Sequence, residues 1–320
     1  MPVPKIAVLF TSYRCDSKCI MCAAWTKQRN HPELSVWQLE KIFADALLRR
    51  NIEIINITGG EPTMRQDLVD IVKVLINNCR RLCRVDIPTN GINTGRVVDN
   101  IERILAVLLP TNVKLTVTVS LDGLGEAHER VRGVSGIFNG IEKTIKELKE
   151  LMLLYPFFSL GLNMTISKLN YQAIEDVRKY AALKGVGINF TLAAISDIGV
   201  KSLGLRENFE MDQNEKIKLI LSLEDLLQNK ALDPHYAKFI LTWLRTGRRV
   251  ADCAFRKRKA FLVEPDGEVY ACGNFKEFRI GSLFNGESFG AIWNKSGGAL
   301  KRASDKCLNC ASNCYMDELR

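Results

Sequence analysis

Histidine is nearly missing here: His31, His128 and His235 are the only three in 320 residues, and none has a motif partner. No Ser-His-Asp arrangement and no phosphate-binding P-loop is present. Long apolar runs are missing too. No stretch approaches the ~18 uncharged apolar residues of a membrane-spanning helix, so no membrane span is expected. The N-terminus, Met1 to Phe10, has a short apolar run but neither an h-region nor a small-residue cleavage site, so it does not read as a secretory signal. With 47% hydrophobic and 25% charged residues, the composition excludes a disordered or collagen-like chain. The length fits one large α/β domain with a small appendage. A cytoplasmic location is expected, where structural disulfides are rare.

Ten cysteines stand against that background. In a cytosolic chain they point to metal or redox chemistry rather than to staples. Burial as small hydrophobes covers two or three of them. They fall into three sets. Cys15, Cys19 and Cys22 form C-x₃-C-x₂-C; Cys79 and Cys83 lie in the middle; Cys253, Cys272, Cys307, Cys310 and Cys314 occupy the last quarter. Cys79 closes an expected helix and Cys83 opens an expected strand, so both are assigned to the core with no further role.

Through residue 195 the chain alternates two patterns. Short apolar runs read as buried parallel strands: Ile6–Phe10, Ile52–Ile57, Arg84–Thr89, Lys114–Ser120, Ser159–Ile166 and Gly187–Leu192. Helical periodicity fills Ser35–Arg50, Arg65–Cys79, Thr94–Leu108, Phe138–Leu154 and Tyr171–Leu183. Ser35 and Asn170 are N-cap candidates, and Gly185 and Gly187 sit where a C-cap belongs. Repeated strand–helix units mean a parallel sheet with right-handed crossovers. Residues 1–195 are expected to form this sheet domain, 196–250 a helical connector and 251–320 a small cysteine-rich domain.

In such a sheet the ligand lies at the carboxyl ends of the strands. Those ends read Thr11-Ser12 into the cysteine loop, Gly59-Gly60-Glu61-Pro62, Thr89-Asn90-Gly91 and Ser120-Leu121-Asp122-Gly123. Each alone can be a turn; four in register are harder to dismiss. Three closely spaced thiolates can wrap one face of an iron–sulfur cluster and leave one iron without a protein ligand. A zinc site would need a fourth ligand, and His31 is not marked out for that role.

At these motifs, CDSKCIMC, GGEP, TNG and SLDG followed by Arg132-Gly133, the chain resembles the radical S-adenosylmethionine (radical SAM) enzymes. The resemblance covers roughly residues 5–195 and implies a partial (βα)6 TIM-like barrel. It implies that Cys15, Cys19 and Cys22 hold a [4Fe–4S] cluster whose open iron chelates S-adenosylmethionine (SAM). One electron then cleaves SAM to methionine and a 5′-deoxyadenosyl radical, which abstracts hydrogen from a substrate. A low-potential donor such as flavodoxin or ferredoxin is the implied source of that electron. The Gly59-Gly60 backbone can approach a ligand closely, and Glu61 can accept from the SAM ammonium. By the same resemblance Asn90, Ser120 and Asp122 belong to the SAM site, and Arg132 pairs with the SAM carboxylate. The residue before the third cysteine, usually aromatic in the family, is Met21, a polarizable side chain that can pack on a ring.

The C-terminal cysteines and the hairpin FLVEPDGEVYACG resemble the SPASM and twitch extensions of these enzymes, over about Asp252–Cys314. The full SPASM pattern has seven cysteines and two clusters. Five are present here, so one auxiliary [4Fe–4S] cluster is expected, held by Cys253, Cys272 and two of Cys307, Cys310 and Cys314. Zinc is the rival ligand.

Formal charge is +9, from 45 Lys plus Arg against 36 Asp plus Glu. Arg245, Arg248, Arg249, Arg256, Lys257, Arg258 and Lys259 crowd the entry to the last segment, as a solvated basic face or a seat for an anionic substrate. No aromatic interleaving supports nucleic-acid binding. The expected substrate is a small polar molecule of sugar or aminocyclitol type. A peptide-modifying maturase is the second reading, set lower because the first strand begins near Lys5, with no room before it for a leader-peptide-binding domain. A non-catalytic zinc or electron-transfer protein is the third, and it leaves GGEP and the other strand-end motifs unexplained.

Overall fold

The computed structural model describes residues 2–27, 31–193, 209, 211–229, 234–284, 287–301 and 307–312. In chain order the elements are β1 (Ile6–Phe10), α1 (Val36–Phe43), α2 (Ala46–Asn51), β2 (Ile54–Thr58), α3 (Leu68–Asn78), β3 (Arg84–Thr89), α4 (Thr94–Leu108), β4 (Lys114–Ser120), α5 (Glu126–Arg132), α6 (Phe138–Leu154), β5 (Phe158–Ile166), α7 (Ile174–Lys184) and β6 (Gly187–Leu192). Then follow α8 (Gln213–Gln228), α9 (Pro234–Thr246), β7 (Ala260–Val263), β8 (Glu268–Tyr270), β9 (Arg279–Ser282), α10 (Phe289–Asn294) and α11 (Ser296–Lys301). Strands β1 to β6 pair in parallel, in order, with helices between them, which makes the partial (βα)6 barrel.

The strands are not uniformly apolar, contrary to the sequence expectation. In β4 Leu115, Val117 and Val119 are buried, while Thr116, Thr118 and Ser120 are half-exposed. The apolar set packs against α4 and α6 residues such as Ile101, Ile104, Ile141 and Ile145. Each such burial contributes roughly 1.5–3 kcal/mol. The other face carries Thr58, Ser120, Asn163, Thr165 and Thr191, all half-exposed, so the inner side of the barrel is lined with hydroxyl and amide groups.

The C-terminal hairpin joins the same sheet. β7 pairs in parallel with β1, Ile6 opposite Ala260 through Leu9 opposite Val263, and β8 and β9 continue antiparallel. The final order is β6-β5-β4-β3-β2-β1-β7-β8-β9.

Several local expectations change. Ser35 caps α1 with a reciprocal box to Gln38, but the run does not continue to Arg50. Asp45 accepts from the Leu47 amide at 2.8 Å and starts α2 as a separate helix. Asn170 is not a side-chain cap; it accepts from the Ser167 amide and donates to the carbonyls of Asp122 and Thr165. A 3-10 turn over Tyr171–Ala173 precedes α7. Gly185 closes α7 in the left-handed region, whereas Gly187 opens β6. Cys79 is buried as expected, but Cys83 is exposed, its thiol donating to the Glu53 carbonyl. The loop expected over Ile195 to Asn208 lies outside the described residues. Among those described, no helix is long and apolar enough to cross a membrane.

Candidate active site and auxiliary cysteine site

Cys15, Cys19 and Cys22 line one cavity of about 220 Å³ at the carboxyl ends of β1 to β5. Met21, Gly59, Gly60, Glu61, Asn90, Ser120 and Arg132 line it with them, so seven of the eight expected SAM-site residues are brought together. Asp122 is not; it is completely buried behind Arg132. Ser17, Trp25, Thr89 and Thr165 also line the cavity and were not expected. Trp25 is held by its indole N–H, which donates to the Cys19 carbonyl at 3.2 Å.

The motifs interlock through backbone. Gly60 N donates to Ser12 O and Glu61 N to Arg14 O, both at 2.8 Å. A Cβ on Gly59 would fall 2.4 Å from Ser12 O, and one on Gly60 2.2 Å from Arg14 O. The two glycines therefore let the turn dock against the cysteine loop, in addition to lining the cavity. Gly133 does the same from the other side: its φ is +66°, and a Cβ there would meet Lys18 O at 2.4 Å. Arg65, 3% exposed, ties the loop's two ends, donating to Thr11 O and Leu34 O while paired with Asp67 at 2.7 Å.

Glu61 has a structural role beside its place in the cavity wall. Its carboxylate receives the Thr63 amide and hydroxyl, the Thr89 hydroxyl and the Asn90 amide, at 2.6–3.1 Å. With four donors on it, three at Oε1 and one at Oε2, the side chain ties GGEP to TNG. Burial holds its pKa above the usual carboxylate value, with those hydrogen bonds pulling the other way. Asn90 in turn donates to Asp16 of the cysteine loop at 2.6 Å.

Behind the thiols lies a buried charge pair. Arg132 reaches Asp122 at 2.8 Å and the Cys19 sulfur at 3.5 Å, and its Nε is buried without a protein acceptor. Asp122 also accepts from the Thr165 amide at 2.8 Å. Its own amide donates to His128 Nδ1 at 3.0 Å, so the His128 proton sits on Nε2. Burial first, then the Arg132 charge, lowers the His128 pKa to about 3. Burial also raises the Cys22 thiol, and that of Cys15 to about 12; iron binding reverses this by requiring thiolates.

The second site gathers Cys253, Cys272, Cys307 and Cys310 around about 20 Å³, with Phe255, Phe275, Arg249, Arg256 and Asn274. Cys314 lies outside the described residues. Asn274 donates its amide N–H to the Cys272 sulfur at 3.4 Å and its side chain to the Cys310 sulfur at 3.6 Å. Burial raises Cys272 to about 12. Among the described residues no three or more His, Cys, Asp or Glu side chains gather tightly enough for a single metal ion.

A third cavity, about 470 Å³, adjoins the second site and shares Asn274, Phe275 and Cys310 with it. It runs from Ile166 at the end of β5, Ser167 after it and Leu192 on β6, past Lys216 and Trp243, to Asn274, Phe275 and Cys310 of the second site.

The sequence profile of the radical SAM superfamily matches residues 9–181, and that of an iron–sulfur cluster-binding domain, SPASM, matches residues 253–315. The chain belongs to the radical SAM superfamily: it is an enzyme of the [4Fe–4S] and SAM class, with auxiliary iron–sulfur binding at its C-terminal end. The zinc-protein alternative falls with that match. Mycofactocin maturase MftC of Mycolicibacterium smegmatis is 23% identical over 288 residues, covering 89% of this chain and 69% of its own. Fe-coproporphyrin III synthase of Methanosarcina barkeri is 30% identical over 164 residues, 51% of this chain and 37% of its own. Among solved structures, native anSMEcpe with bound AdoMet and a Cp18Cys peptide aligns at TM-score 0.65 and 18% identity, over 94% of this chain and 83% of that one, a likeness of fold.

Proposed function

We propose that this chain is a peptide-modifying radical SAM enzyme, in place of the sugar- or aminocyclitol-type substrate that the sequence suggested. The observation that carries the reading is the 470 Å³ cavity, whose wall includes Asn274, Phe275 and Cys310 of the second site together with Ile166 and Leu192 at the ends of β5 and β6. Hydroxyl and amide groups on the inner strand faces suit the donors and acceptors of a peptide main chain. A maturase relative and a peptide-bound fold neighbour support the same choice.

In this reading Cys15, Cys19 and Cys22 hold the SAM-cleaving cluster, which supplies the electron that generates the 5′-deoxyadenosyl radical. Gly59, Gly60, Asn90, Ser120 and Arg132 shape the SAM seat, and Asp122 orients Arg132. Trp25 offers the adenine an aromatic face that Met21 lacks. Cys253, Cys272, Cys307 and Cys310 hold one auxiliary cluster, four thiolates with no open position. That arrangement suits electron transfer rather than substrate chelation.

The test uses short peptides encoded beside the gene, synthesised with deuterated backbone and side-chain carbons. Deuterium from such a peptide is expected in 5′-deoxyadenosine, with about eight irons per reconstituted chain. Transfer from a deuterated polyol or aminocyclitol, with none from any neighbouring peptide, returns the substrate assignment to small molecules.

A further inference from the structure

Of the seven basic residues between Arg245 and Lys259, Arg249 behaves unlike the run around it. Arg248 and Arg256 are exposed; Arg249 is 6% exposed. Its guanidinium donates to the carbonyls of Ala251 at 2.8 Å, Asp252 at 2.9 Å and Ser312, and it lies 5.1 Å from the ring of Phe239 on α9. Its amide donates to Leu308 O at 2.6 Å. One side chain thus grips both segments that bring cysteines to the second site.

Among the described residues no carboxylate pairs with Arg249. The other buried arginines differ: Arg65 has Asp67 and Arg132 has Asp122. An unpaired buried cation is unfavourable unless something anionic faces it. Arg249 lines the cavity that the four cysteines line, and three of its five N–H groups serve the carbonyls. A [4Fe–4S] core with four thiolates is an anion, and it gains one further negative charge when it takes up one electron.

We propose that the Arg249 charge is the built-in counter-charge of the auxiliary cluster, and that it raises the cluster's reduction potential by favouring the more negative, reduced form. This rests on the assignment of a four-cysteine cluster at that site. Arg256 also lines this cavity and acts on Cys307, but it is exposed, where solvent screens its charge.

The experiment compares reconstituted wild type, Arg249→Lys and Arg249→Gln by iron content and by EPR-monitored redox titration of the auxiliary signal. Lysine keeps the charge; glutamine keeps polar length without it. The expected result is an Arg249→Lys potential near wild type, with Arg249→Gln shifted to more negative potential or stripped of about four irons. An Arg249→Gln protein with full iron and a wild-type potential overturns the proposal. So does an Arg249→Lys protein altered as much as Arg249→Gln, since the charge is then not the cause. A wild type with only about four irons instead removes the cluster assignment itself.

Discussion

Cys15, Cys19 and Cys22 border about 220 Å³ of open space, whereas Cys253, Cys272, Cys307 and Cys310 border about 20 Å³. The first site is walled largely by glycines and polar side chains such as Ser120, Asn90 and Thr165, the second by Phe255 and Phe275 among others. The first has its buried arginine neutralised by Asp122; among the described residues the second leaves Arg249 without a carboxylate. A site that must admit and release a charged ligand needs room, polar walls and a local charge balance that holds when the ligand leaves. A site that keeps one anionic group permanently can be tight, and it can let that group complete the charge.

The sharpest way to break this contrast is to remove one cysteine from each site. Cys19→Ala is expected to lose about four irons and all reductive SAM cleavage. Cys272→Ala is expected to lose about four irons while still cleaving SAM to 5′-deoxyadenosine, with little modified peptide. Iron analysis and product chromatography read both. SAM cleavage lost equally in the two variants would mean that the sites do not work separately.

A smaller effect distinguishes the walls. Gly60→Ala places a methyl 2.2 Å from Arg14 O, and its nearest neighbours are all backbone atoms that cannot swing aside. Destabilisation of about 1–3 kcal/mol is expected, with weakened SAM binding by calorimetry. Gly273→Ala at the auxiliary site meets only Leu262 and Phe255 side chains, at 3.5 and 3.6 Å. It is expected to stay within about 0.5 kcal/mol of wild type in denaturant titration.

A further effect, visible only as pH falls, concerns the buried pair's neighbour. His128 has a folded pKa of about 3, below its unfolded value. The unfolded chain therefore binds a proton that the folded chain refuses as pH falls below about 6.5, and stability drops by about 1.4 kcal/mol per pH unit from this group alone. His128→Gln is expected to flatten the fall in chemical stability between pH 6 and 4. An unchanged slope would show that His128 takes up its proton in the folded chain.

Much of the barrel was legible because its punctuation is local. β1, β3, β4 and β6 fall where their apolar positions and following turns put them, and C-x₃-C-x₂-C carries its chemistry in its spacing. What escaped depends on partners distant in sequence. Asp122 reads as a strand-end ligand, yet Arg132 and the Thr165 amide turn it inward. Glu61 reads as a free carboxylate until Thr89 and Asn90, nearly thirty residues on, fill it. Arg249 hides in a basic run because only the fold brings Ser312 to it. Asp45 was a missed local signal: an aspartate inside a helical period can restart a helix as well as interrupt one.

The pairing of β7 with β1 has a consequence for biosynthesis. Ile6 meets Ile54 on one side but waits for Ala260 on the other. At about 5–20 residues per second, one edge of the first strand stays unpaired on the order of 10 s or longer while the rest emerges. Through that interval the nascent chain presents Ala7, Leu9 and their backbone groups to any passing strand. A fragment ending at residue 195 would carry this edge permanently, so the last quarter of the chain also serves as the protective flank of the first strand.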